Sequence, residues 1–144
     1  MTDTAFNWDD SFLIGIEELD HEHKVLIDDI NRLHWELSRH ERKSEIAKCL
    51  GEIFARMQAH FALEERVMKD NGYKFFDEHK REHDELLDTY TEDMVQFLND
   101  PGFSSGKSIE NSLERWVIHH IVTSDKRMSV MVQESAPFRA KRRD

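Results

Sequence analysis

His60 and Glu64 stand four residues apart in the chain, and so do His79 and His83. Residues three or four apart share one face of an α-helix, so each pair can aim two donor atoms at one point. His23 and His120 also fall on lines of apolar residues that must face inward: Leu19, Leu26 and Ile30 around the first, Leu113, Trp116, Val117 and Ile121 around the second. A buried carboxylate without a partner costs several kcal/mol, roughly, and tends to neutralise. Imidazole and carboxylate are ordinary donors to transition metals. Five imidazoles converging with a glutamate in one interior therefore point to a metal site rather than to isolated core histidines. The chain has nine histidines. Of the rest, His21, His40 and His119 fall on polar positions and His34 on the edge of a stripe, and none of these needs a functional reading.

Four helical patterns would position these side chains. The first, about Leu19 to Arg39, carries Leu19, Leu26, Ile27, Ile30, Leu33 and Leu37. The second, about Ser44 to Asp70, carries Ile46, Leu50, Ile53, Phe54, Met57, Phe61, Val67 and Met68, and Asn71-Gly72 should stop it. The third, about Phe75 to Leu98, carries Phe76, Leu86, Leu87, Tyr90, Met94 and Phe97. After the longest loop, Asp100-Pro101-Gly102 to Ser104-Ser105-Gly106, Ser108 is a candidate cap for the fourth. The expected fold is all-α, an up-down-up-down four-helix bundle in a single domain over residues 1–144. An apolar arm over residues 1–17, with Trp8, Phe12, Leu13 and Ile16, should lie across it, and residues 133–144 form a C-terminal tail whose basic run, Arg139 to Arg143, should be a solvated end.

Composition narrows the function. The net charge of −10 argues against nucleic acid, and the one basic cluster is Arg139 to Arg143. The apolar run Phe12-Leu13-Ile14 is too short for a bilayer span and lacks a basic leader, so a cytoplasmic protein without membrane insertion is expected. Cys49 is the lone cysteine, which leaves no intramolecular disulfide or multi-cysteine metal site. It sits on an apolar stripe, as a small buried residue would. No broad apolar face suggests assembly, so a monomer is expected.

The chain resembles the bacterial hemerythrins over nearly its whole length. The resemblance rests on Gly15-Ile16-x-x-Leu19-Asp20-x-x-His23-Lys24-x-Leu26, His60-Phe61-x-x-Glu64-Glu65-x-x-Met68, His79-x-x-x-His83 and Trp116-x-x-x-His120-Ile121-x-x-x-Asp125, in this order. It implies two iron ions, Fe2+ or Fe3+, joined by an oxo or hydroxo bridge. His79, His83 and His120 would hold one iron, His23 and His60 the other, and Glu64 and Asp125 would bridge them. Spacing alone does not select Asp125. Five residues beyond His120 on an ideal helix, it points about 140° away. A π-bulge would bring it back, and such bulges favour functional sites. Two departures from relatives stand out. Glu22, expected at the surface, replaces a common Gln, and Val117 replaces a common Leu, which should widen access to the site.

The implied ligand set leaves one position open, on the iron with two histidines. Passing two electrons and the bridging proton to dioxygen leaves the net charge of the buried centre unchanged, which avoids a solvation penalty and favours reversibility. The expected function is reversible dioxygen binding for storage, transport or delivery, with an oxygen-consuming enzyme as a candidate partner and no catalysis of its own. The alternative is a di-iron protein of oxidative or nitrosative stress that scavenges or senses oxygen or nitric oxide. Oxygen-activating di-iron enzymes use paired Glu-x-x-His motifs. Here the one such spacing, Glu18/His21, lies off the stripe. A single zinc could not use seven ligands. Phe61, Trp116, Val117 and Ile27 are candidates for an apolar surround, Ile27 being better read as ordinary core.

Overall fold

The computed structural model describes residues 10–39, 42–100, 106–135 and 137–139. Four rods make the bundle. α1 spans Glu17–Ser38, α2 Lys43–Asp70 and α3 Phe76–Leu98. The fourth rod has three parts: α4 over Gly106–His120, a π turn over Ile121–Asp125, and α5 over Lys126–Gln133. α1 packs on α2, α2 on α3, α3 on α4, and α4 back on α1, so neighbours in sequence are neighbours in space. No strand occurs among the described residues, and none of their helices is long and apolar enough to cross a membrane.

The apolar stripes face inward as the spacing predicts. Leu19, Ile30, Leu33, Ile46, Leu50 and Ile53 are fully buried, each worth about 1.5–3 kcal/mol relative to exposure. Cys49 joins them, and burial pushes its thiol up to about 12, so it behaves as a small apolar residue. Tyr90 is also fully buried and donates its hydroxyl to the Leu50 carbonyl at 2.6 Å, joining α3 to α2.

Two boundary expectations are corrected. α1 starts at Glu17, inside the stretch assigned to the arm, because Asp20 accepts the backbone N–H groups of Ile14 (2.7 Å) and Gly15 (3.1 Å) and turns the chain into the helix. Gly15 makes that turn at φ +89°, with Ile14 held from the far side by Ser129 and Gln133. Within the arm Ile14 and Ile16 are buried and Phe12 packs on the core, but Leu13 is exposed; Trp8 lies outside the described residues. Ser108 is no cap, since the backbone is already helical from Gly106. Within the tail Phe138 packs against the core, while most of the basic run, from residue 140 on, lies outside the described residues.

Candidate metal centre

Each rod brings its share of donors to one level of the bundle. α1 supplies His23, α2 supplies His60 and Glu64, α3 supplies His79 and His83, and the fourth rod supplies His120 and Asp125. All seven are buried, His23, Glu64, His83 and Asp125 completely so. The π turn accounts for Asp125. An i→i+5 turn carries one more residue per revolution than an α-helical turn, so it returns a residue five places on to the face of His120.

The donor atoms form two adjacent groups. Glu64, His79, His83, His120 and Asp125 make one; His23, His60, Glu64 and Asp125 make the other; in each, the ligand atoms lie within 4.8 Å of one another. The carboxylates are common to both, and each divides its oxygens between them. Glu64 Oε1 faces Nε2 of His79 (2.5 Å) and His83 (3.0 Å), while its Oε2 faces Nε2 of His60 (3.0 Å). Asp125 Oδ1 faces His79 (3.1 Å) and His120 (2.9 Å), while its Oδ2 faces His23 (3.0 Å).

The chemistry of the set fits a pair of cations. Among the described residues, the buried side-chain N and O atoms without a hydrogen-bond partner are Nδ1 and Nε2 of His23 and His60, Nε2 of His120, Glu64 Oε2, Asp125 Oδ2 and, elsewhere, Glu36 Oε2. Natural proteins rarely leave such atoms unsatisfied. Here all but one sit on the two groups, and five of those seven, the three Nε2 atoms and the two carboxylate oxygens, face one another across the shared interior. In the metal-free protein the groups polarise one another. Burial pushes Glu64 up, but the imidazoles of His120, His60, His79 and His83 hold it well below the usual carboxylate range. Asp125 is likewise lowered: burial and Glu64 push it up, and His120 and His23 outweigh them. Burial would lower His79, yet Asp125 and Glu64 raise it to about 9. His60 and His120 are raised for the same reason.

A second layer of carboxylates flanks the group with three imidazoles. His83 Nδ1 meets Glu65 Oε2 at 2.9 Å, and Lys80 stands 3.6 Å from the other oxygen of Glu65. His120 Nδ1 meets Glu82 Oε2 at 3.2 Å, and Ser124 donates its hydroxyl to the same oxygen at 2.5 Å. The hydrogen bond to His120 draws Glu82 down to about 2 against its partial burial. Sequence reasoning assigned Glu65 and Glu82 no role, because on a helical wheel each looks like an ordinary boundary charge.

A cavity of about 10 Å³ lies against the group with two imidazoles, lined by His23, Leu26, His60, Phe61, Leu86, His120, Ile121 and Asp125. It has room for about one water-sized molecule. Phe61 is where the sequence placed it, stacked on His83 with ring centroids 4.0 Å apart. Leu26, Leu86 and Ile121 were read as plain core. Ile27 is core and not among the lining residues. The side chains of Trp116 and Val117 lie outside the described residues, as does His40. His21 and His119 are exposed, and Glu22 is half-buried rather than at the surface. His34 is half-buried and pairs with the buried Glu110 of α4.

By fold and centre this is a metal-binding helical bundle. A model of the hemerythrin HHE cation-binding domain matches residues 14–132. Bacteriohemerythrin of Pseudomonas aeruginosa (strain LESB58) is 32% identical over 118 residues, which cover 82% of this chain and 75% of that protein. Hemerythrin subunit 1 of Golfingia vulgaris is 31% identical over 121 residues, covering 82% and 85%. A crystal structure of a hemerythrin carrying a leucine-to-alanine mutation matches with a TM-score of 0.76 at 24% identity, over 90% of this chain and 98% of that one, a likeness of fold. The chain belongs to the hemerythrin family.

Proposed function

We propose that the protein binds dioxygen reversibly at a non-haem di-iron centre, with His79, His83 and His120 on one iron, His23 and His60 on the other, and Glu64 and Asp125 bridging. The observation that carries this reading is the division of each carboxylate's oxygens between a group of three imidazoles and a group of two. When bound, the irons supply two electrons to dioxygen and recover them on its release. The protein's own contribution is to hold seven donors at fixed positions and to keep water away. The two-imidazole side has fewer protein donors, and the small cavity beside it is walled by Leu26, Phe61, Leu86 and Ile121. A space of that size suits a diatomic molecule and excludes larger substrates. Storage, or delivery to an oxygen-consuming enzyme in the cytoplasm, is the use assigned to it.

The test is anaerobic reduction of purified protein of known iron content, then air, then argon, followed by visible absorption. Two irons per chain and a ferric band that rises in air and fades under argon are expected. Irreversible conversion to a ferric form would replace the carrier with a scavenger of oxygen or nitric oxide. Protein that takes up no iron would overturn the reading.

A further inference from the structure

Glu82 lies on α3 beside the ligand position His83, and its Oε2 has two partners on the neighbouring fourth rod. His120 Nδ1 donates to it at 3.2 Å and Ser124 Oγ at 2.5 Å. These residues lie at the two ends of the π turn: His120, the last residue of α4, immediately precedes it, and Ser124 is its penultimate residue, next to Asp125. A π turn spaces its backbone hydrogen bonds one residue wider than an α-helix and is a rare conformation. A single carboxylate oxygen thus ties both flanks of the irregular segment to a regular neighbour. It also fixes the proton of His120 on Nδ1, which leaves Nε2 as the inward donor.

We propose that Glu82 is a positioning residue: it clamps the π turn to α3, so that His120 turns Nε2 inward and Asp125 is held astride the two donor groups. Glu65 makes a similar bond to His83 at 2.9 Å, but it joins two regular helices, and no irregular segment depends on it. The clamp rests on the di-iron reading for its purpose and on geometry alone for its existence, so the two are separable by experiment.

The test compares wild type with Glu82→Ala, Glu82→Gln and Ser124→Ala. Gln keeps an oxygen able to accept both hydrogen bonds; Ala removes it. In metal-free protein, backbone amide exchange should accelerate at residues 121–125 in Glu82→Ala and Ser124→Ala, stay near wild type in Glu82→Gln, and remain unchanged in α1. In reduced, iron-loaded protein, Glu82→Ala should release iron to a ferrous chelator about 10- to 100-fold faster, with Glu82→Gln restoring retention. Should Glu82→Ala prove too unstable to purify, Ser124→Ala carries both measurements. Wild-type exchange at 121–125 in the Ala variants, or iron release equally fast in Glu82→Gln and Glu82→Ala, would overturn the clamp. A wild-type protein that binds no iron would instead defeat the di-iron reading, and the exchange data would still judge the clamp.

Discussion

At the scale of single residues, protons and metal ions compete for the same atoms. His79 ionises near 6.5 in an unfolded chain, roughly, and at about 9 in the folded metal-free protein. Its contribution to stability is therefore complete below about pH 6.5 and is lost as pH rises through about 9. His60 and His120 are shifted in the same direction. Glu64 and Asp125 are lowered, so their contributions fail only in acid and leave this window untouched. Metal ligation needs unprotonated imidazole and has the opposite sign. Thermal melts of stripped and loaded protein should thus diverge between pH 6.5 and 9, the stripped form losing and the loaded form holding stability; parallel curves would contradict this. The residues concerned were legible to different degrees. His23, His60, Glu64, His79, His83 and His120 interrupt stripes of helical period, where polar atoms need a reason. Asp125 sits off that period, and only the family resemblance picked it out. Glu82 gave no signal and Glu65 entered only as a motif residue without a role, because their partners lie on other helices.

At the scale of elements, the short turn between α2 and α3 sets one wall of the centre. Tyr73 N–H donates to the Met68 carbonyl at 2.9 Å and Gly72 N–H to the Lys69 carbonyl at 3.2 Å, a Schellman ending with Gly72 at φ +61°. Asn71, which the sequence offered as an equal stop, keeps φ −110° and instead donates its side-chain amide to the Val67 carbonyl. The turn delivers Tyr73 edge-on to His79, with ring centroids 6.3 Å apart. Gly72→Ala has open space for its methyl group, so its cost is purely conformational, about 1–2 kcal/mol. Urea unfolding should show a midpoint lowered accordingly with an unchanged slope, and a neutral result would mean that the turn relaxes. The four rods were legible because glycine, proline and polar runs punctuate an otherwise regular 3.6-residue period. The break within the fourth rod was legible only through the family resemblance, which needs Asp125 back on the face of His120; the apolar pattern alone stays intact on both sides of a π turn.

At the scale of the whole molecule, the bundle has an apolar part and a polar one. Leu33, Leu50, Tyr90 and Phe97 are fully buried in the apolar part, with Lys43 Nζ 5.1 Å from the Phe97 ring, while the histidine level carries seven buried ionisable donors. Stability of the metal-free chain thus rests on the apolar part, and metal adds to it through binding to the folded state alone. Chelation should lower the melting temperature without abolishing helical circular dichroism. Complete unfolding on chelation would show that the apolar part cannot stand by itself.

Because Glu64 and Asp125 belong to both donor groups, two ions bound there would not arrive as independent lottery draws. A first ion would fix the orientation of both carboxylates, so that a second would meet donors already in place. Chains given one ferrous ion each should sort into empty and doubly occupied populations, with few in between. Native mass spectrometry would count the three species directly, and a binomial spread would show that sharing confers no such preference.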